Sequence, residues 1–216
     1  MTDASSPGSG APKPDEKVLR PRDAATLIIV DRTGHEPRIL LGKRRMDVAF
    51  MAGKYVFPGG RVDRSDHAVA VADELPKTEV EKLLVQMKGA VSTSRARALA
   101  LAAVRETFEE AGLIIGKPVA AAEKPASGPW AGFFAEGYAP ALAGLTFFAR
   151  AITPPGRSRR FDARFFAIDA SAIAKRIDIT DGELSALDWM SIEAARNLDI
   201  PNITRVVLED LGDRLA

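Results

Sequence analysis

Residues 103–115 read "AVRETFEEAGLII", and no other stretch limits the fold of this chain so tightly. At about 100° per residue, Ala100, Leu101, Val104, Phe108 and Ala111 share one stripe, which predicts a helix over about residues 95–111 with that stripe packed on an apolar layer. Glu106, Glu109 and Glu110 fall within about 100° of one another on the opposite side. Gly112 fits the position just past the helix end, where positive φ is needed. This is a poor place for acids. An anion in the last turn is disfavoured by about 0.3–1 kcal/mol, and the like-charged pair Glu106 and Glu110, four apart, adds to that. Arg105 compensates in part by pairing with Glu109, whereas Arg95 and Arg97 sit at the positive end, the wrong way round. Two readings stand on this geometry. One is a solvated acidic face. The other is a site for a hard divalent cation such as Mg²⁺, which takes oxygen ligands from carboxylates and substrate phosphates and would reverse the sign of the whole arrangement.

The elements around this helix come from periodicity and turn residues. Residues 24–31, "AATLIIVD", form a short β-branched run, hence a buried strand. "RTGHEP" is a turn and "RILLGKRR" the returning strand of a hairpin. "GKYVFPGGRV" predicts a short strand followed by a sharp loop at Pro58-Gly59-Gly60, with free N–H groups and no side chains in the way. A helix over about 78–88 and a glycine break precede a new helix start at residues 92–94. Residues 117–129 read as a loop and "WAGFFAEGYAPALAGL" as helical with a break near Gly137. Strands "TFFARAITP", "RRFDARFFAI" and "LSALDWMSI" follow, then a short helix capped by Ser191 and a final helix "NITRVVLEDLGDRL". Antiparallel strands mixed with helices predict an α+β fold, an α/β/α sandwich with a mixed sheet.

Composition narrows the function. Of 216 residues, 46% are hydrophobic and 27% charged, which is enough for one core-bearing domain, expected over residues 23–216 behind a disordered, Pro/Gly/Ser/Ala-rich tail at 1–22. A net charge of +1 and the lack of a recognisable motif argue against nucleic acid and against an anionic membrane. The lack of cysteine excludes thiolate zinc sites, and with only His35 and His67 a histidine-rich metal site is not expected. No apolar run approaches the ~18 residues of a membrane span. The start does not read as a secretory signal and "DRLA" matches no common targeting address, so a cytoplasmic protein is expected.

"RETFEEAGL", from Arg105 to Leu113, and the opening Gly60 resemble the signature of the Nudix hydrolases, with Thr107 at a usually apolar position. Asp66 stands where the signature's first Glu is expected. The departure is the spacer: 38 residues separate Asp66 from Arg105, where seven are usual. A helical insertion therefore occupies residues 67–97, in a place where a loop can absorb it. "LLGKRR", "GKYVFPGGRVD", "ITPPGRSRRFDARFF" and "DGELSALDWMSIEAA" extend the likeness to the Nudix subgroup with an inserted signature, whose peroxisomal member hydrolyses coenzyme A and its acyl esters.

The resemblance implies a Mg²⁺-dependent hydrolase, with Mn²⁺ as a substitute ion, that cleaves a diphosphate linkage in coenzyme A or acyl-CoA. ADP-ribose, dinucleotides and other nucleoside diphosphate derivatives are the alternative substrates, and a nucleotide-sensing module without hydrolysis is a third reading. By the same resemblance Glu106, Glu109 and Glu110 are metal ligands, Gly60 supplies backbone to the metal or phosphate, and Arg105 orients the carboxylates. Glu106 and Glu183 are the candidate general bases. Arg44, Arg159, Arg160 and Arg164 are candidate substrate contacts, suited to phosphates. For the last three, pairing within a strand whose alternation puts Arg160, Asp162 and Arg164 on one face is an equal reading. Trp189 reads as packing, and Trp130 carries no functional expectation. The partner is a small nucleotide or CoA-type molecule, and a homodimer is left open.

Overall fold

The run that begins at Ala24 forms the centre of the molecule. The structure, a computed structural model, describes residues 19–48, 51–85, 87–120, 128–179 and 182–215. Strand β1 (Arg22–Asp31) is buried at nearly every position from Ala24 onward, because it lies in the middle of a seven-stranded sheet. It turns into β2 (Arg38–Arg44), as the hairpin pattern predicts, with Val30 opposite Ile39. β3 (Tyr55–Val56) pairs with β2, and β4 (Gly59–Arg61) pairs antiparallel with the first half of β1. The expected sharp loop at Pro58-Gly59-Gly60 is thus corrected: both glycines lie in a strand, in register with Thr26 and Ala25. Gly59 is required by close approach, since a Cβ there would stand 2.6 Å from the Ala25 carbonyl oxygen.

A 3-10 turn, Arg64–His67, opens the insertion, which carries α1 (Lys77–Val85). The buried Glu79 of α1 accepts the Phe147 backbone N–H at 2.7 Å and a bond from Lys82, which ties the insertion to the sheet. Helix α2 (Thr93–Ala111) begins at Ser92, whose hydroxyl accepts the Arg95 N–H, and ends at Gly112 with φ of 66°. Arg95 and Arg97, at the disfavoured end, are neutralised by Asp23 and Glu74.

The next segment departs from expectation. "LIIGKP" is β5 (Leu113–Pro118), and of the expected helical stretch only Trp130, at the end of a 3-10 turn, and α3 (Ala131–Ala135) are helical. Tyr138–Pro140 form β6, paired with β5. β-branched residues at 114 and 115 and the break at Gly137 favour pairing over helix continuation. Strands β7 (Thr146–Ile152) and β8 (Phe161–Asp169) fall where the alternation predicts. The short β9 (Ile173–Arg176) joins β5 and β6 in a second, three-stranded sheet. β10 (Leu184–Ser191) returns to the main sheet, followed by α4 (Ile192–Arg196), capped by Ser191, and α5 (Asn202–Leu215).

The main sheet runs β10-β2-β1-β8-β7, with β1 and β8 parallel. Ala25, Leu27 and Ile29 pack against α2 on one face, while Ile28 and Val30 meet Val207, Leu208 and Leu211 of α5 on the other. This is the expected α/β/α sandwich of a mixed sheet. Of the tail expected at 1–22, residues 1–18 lie outside the described residues, and Arg22 already belongs to the sheet. Among the described residues no helix is long and apolar enough to cross a membrane.

Candidate active site

The fully buried arc of α2 extends past the apolar stripe. Arg105, Thr107 and Glu110 are also buried, so the acidic side of the helix is not a solvated face. It faces β4 and the chain after it.

Arg105 is the hub. Its Nη1 donates to Glu106 Oε1 at 2.9 Å and to Glu109 Oε2 at 2.8 Å. Its Nη2 donates to the Arg61 carbonyl at 2.8 Å and to Asp66 Oδ2 at 3.1 Å, and its Nε to Asp66 Oδ1 at 2.9 Å. All five guanidinium N–H groups are thereby used. Burial works against the charge of Arg105, but Asp66, Glu106 and Glu109 together hold it firmly protonated. Asp66, whose part the sequence leaves open, is completely buried and binds the hub rather than facing a substrate.

Glu106 and Glu110 press against β4. A Cβ on Gly60 would collide with the Glu106 carboxylate, so the absence of a side chain there makes the room this acid occupies. Glu110 accepts the Gly59 N–H at 2.9 Å. Burial pushes Glu106 up from 4.5 to about 7, with Arg105 opposing and Glu109 adding to the rise. Burial likewise pushes Glu110 up to about 8, against the Gly59 N–H, with Glu106 and Glu183 adding to the rise. Glu109 is also raised by burial.

Arg44, at the end of β2, stands 3.7 Å from Glu110 Oε1 and is hydrogen-bonded to Glu183, whose side chain is 58% exposed. The Glu183 loop lies against the helix end: a Cβ on Gly182 would contact the Glu110 carbonyl oxygen at 3.3 Å. Glu106, Glu109, Glu110, Gly60, Arg105, Arg44 and Glu183 therefore converge on one region. Among the described residues, no three acidic or histidine side chains gather around a single point as a preformed cage. The donor set still fits a divalent cation. It consists of oxygens alone; loss of hydration raises both Glu106 and Glu110, and Glu106 adds to the rise of Glu110.

Arg159, Arg160 and Arg164 do not share one exposed face. Arg164 has no exposed surface, which corrects its expected role as a substrate contact. It faces the α2 side of the sheet beside Asp162, which it shares with Arg150. Pairing within the strand thus holds for Asp162 and Arg164. Arg160 spends its donors on the Thr153 and Leu19 carbonyls, and Arg159 is exposed.

The residue that sequence reasoning missed is Trp130. Its indole Nε1 donates to Asp66 Oδ1 at 2.8 Å across a separation of 64 residues, a contact that no periodicity signals.

In fold the chain is similar to a Nudix hydrolase from Alicyclobacillus acidocaldarius, with a TM-score of 0.67 and 24% identity over 88% of this chain and 90% of that one. It is similar to the Nudix domain of Shewanella oneidensis NrtR complexed with ADP ribose, with a TM-score of 0.53 and 9% identity over 92% and 90% of the two chains. A Nudix hydrolase from Listeria monocytogenes aligns with a TM-score of 0.50 and 16% identity over 89% and 93%. No protein-family profile and no curated protein matches the sequence. The fold is the Nudix fold, and the carboxylates of residues 106–110 lie on the helix that carries the signature-like segment.

Proposed function

We propose that this chain is a Nudix-type hydrolase that uses Mg²⁺ to cleave a diphosphate linkage in a nucleotide-like small molecule, with coenzyme A or acyl-CoA as the favoured substrate. The observation that carries the reading is the pressing of Glu106 and Glu110 against the Gly59-Gly60 strand, with Arg105 holding Glu106 and Glu109. Glu106, Glu109 and Glu110, with the backbone at Gly60, would hold the ion. When bound, Mg²⁺ neutralises charge on phosphate oxygens and makes a bound water more acidic. Arg105 keeps two of the carboxylates in place by charge-assisted bonds. Glu106, with a pKa near neutrality, and Glu183, exposed at the rim, are the two groups suited to accept a proton. Arg44 spans Glu110 and Glu183 and offers a guanidinium to an incoming phosphate.

Support for coenzyme A comes from the insertion within the signature-like segment and from Arg159, which is exposed to solvent. ADP-ribose is the second substrate reading, since the Shewanella domain of the same fold is complexed with it. The deciding experiment is chromatography of the products after incubation with coenzyme A and Mg²⁺, beside a metal-free sample and a Glu110→Gln protein. 3′,5′-ADP and phosphopantetheine, absent from both controls, are expected. Intact coenzyme A with cleaved ADP-ribose would move the assignment to the second substrate. Tight nucleotide binding with no cleavage of either would mark a sensor.

A further inference from the structure

The structure assigns Trp130 as a positioning residue of this site: its indole N–H completes the hydrogen-bond shell of Asp66 and thereby sets the plane of Arg105. The inference rests on the diphosphatase reading above.

An ionised carboxylate offers about four lone-pair positions, and Asp66 has a donor for each. Oδ1 accepts Arg105 Nε at 2.9 Å and Trp130 Nε1 at 2.8 Å. Oδ2 accepts Arg105 Nη2 at 3.1 Å and the Asp63 backbone N–H at 2.8 Å. Asp66 is fully buried, so water replaces none of these. Two of the donors come from rigid pieces on opposite sides. Asp63 caps the 3-10 turn that carries Asp66, and Trp130 is locked edge-on to Phe133 with ring centroids 5.3 Å apart. Between them they define the carboxylate plane.

That plane is passed on. The Arg105 guanidinium is planar and binds Asp66 through two parallel N–H groups, so its orientation follows the carboxylate. Its remaining edge carries Glu106 and Glu109. With every donor of Arg105 and every acceptor of Asp66 used, a rotation at either end loses a bond at the other. Asp66 is also one methylene shorter than the Glu that the signature leads one to expect. The donor from Trp130 and the cap at Asp63 hold this shorter side chain in place. A buried indole N–H needs an acceptor in any role; what bears on the site is that this acceptor is Asp66 Oδ1, which also takes Arg105 Nε.

The test removes the donor and keeps the ring. Trp130→Phe is compared with a protein carrying β-(3-benzothienyl)alanine at position 130, which keeps the indole outline and has sulfur in place of N–H. Each is measured for kcat and KM on the substrate that the wild type cleaves, for Mg²⁺ affinity by calorimetry, and for thermal midpoint. Loss of the N–H is expected to lower kcat and Mg²⁺ affinity by about 10–100-fold, the range seen for groups that orient metal ligands, with KM little changed. If Trp130→Phe does not fold, the benzothienyl protein carries the comparison alone. Wild-type kcat and Mg²⁺ affinity in the folded benzothienyl protein would overturn the assignment and leave the diphosphatase reading intact. A wild type that neither binds Mg²⁺ nor cleaves any diphosphate would overturn both.

Discussion

Gly60 and Glu106 share one volume. The carboxylate lies where a side chain on residue 60 would begin, so Gly60→Ala forces the end of Glu106 aside while leaving the backbone undisturbed. The expected result is a folded protein whose kcat falls by on the order of 10²-fold, the effect of roughly 1 Å of misplacement; kinetics beside a melting curve would show it, and a matching loss of stability would count against it. Glu110 gives a sharper contrast. Glu110→Gln keeps an acceptor for the Gly59 N–H and removes a charge that burial disfavours. Hydrolysis should fall at least about 10²-fold if a metal ligand is lost. The metal-free variant should nonetheless melt higher than the wild type above neutral pH, because it no longer ionises a buried group. A lower melting point there would contradict the account of Glu110.

At the scale of the element, α2 is defined by its two ends. Ser92 supplies the N-cap, and Gly112 takes a left-handed conformation that lets β5 leave at once. A Cβ on Gly112 would also run into the Ile177 carbonyl oxygen, a backbone atom that cannot swing away. Gly112→Ala is therefore expected to lower unfolding free energy by at least about 1–3 kcal/mol, measured by denaturant titration. A change within error would mean that the chain just after β9, at Ile177, can move. Both ends of this helix were readable in the sequence, because caps are local and depend on residue type. Strand β5 was not read, because its evidence lies in pairing with β6 and β9, partners distant in sequence. The burial of the strand-β8 arginine Arg164 was hidden for the same reason: alternation tells which residues share a face, not what covers it.

For the whole molecule, the raised carboxylates of the candidate site are expected to make stability depend on pH, and on Mg²⁺ under the proposed function. Glu106 and Glu110 have folded-state pKa values raised from 4.5 to about 7 and about 8. A raised carboxylate pKa favours the neutral form in the folded state. The stability it confers is complete below the unfolded value and is lost as pH rises through the folded one. Metal-free protein should thus melt lower at about pH 9 than at about pH 5, and Mg²⁺ should restore stability at the higher pH and do little at the lower. Asp31, held at about 2 by the Thr33 hydroxyl and amide and by Arg38, has finished titrating below this window and does not mask it. Calorimetric scans with and without chelator would decide; equal midpoints at both pH values would refute the picture of an internally uncompensated site.

By itself the sequence determined the sheet's central strands, the acidic helix with its caps, and the clustering of carboxylates at the end of that helix. Each of these follows from local periodicity, residue type and short spacing. Only the tertiary structure decided that the acidic side of α2 is buried against two strand glycines, that Asp66 serves Arg105, and that Trp130 reaches Asp66 from 64 residues away. These are consequences of burial. A hydrogen bond to a carboxylate closed off from water is set by which elements pack together, and packing joins residues whose distance along the chain carries no signal of their contact.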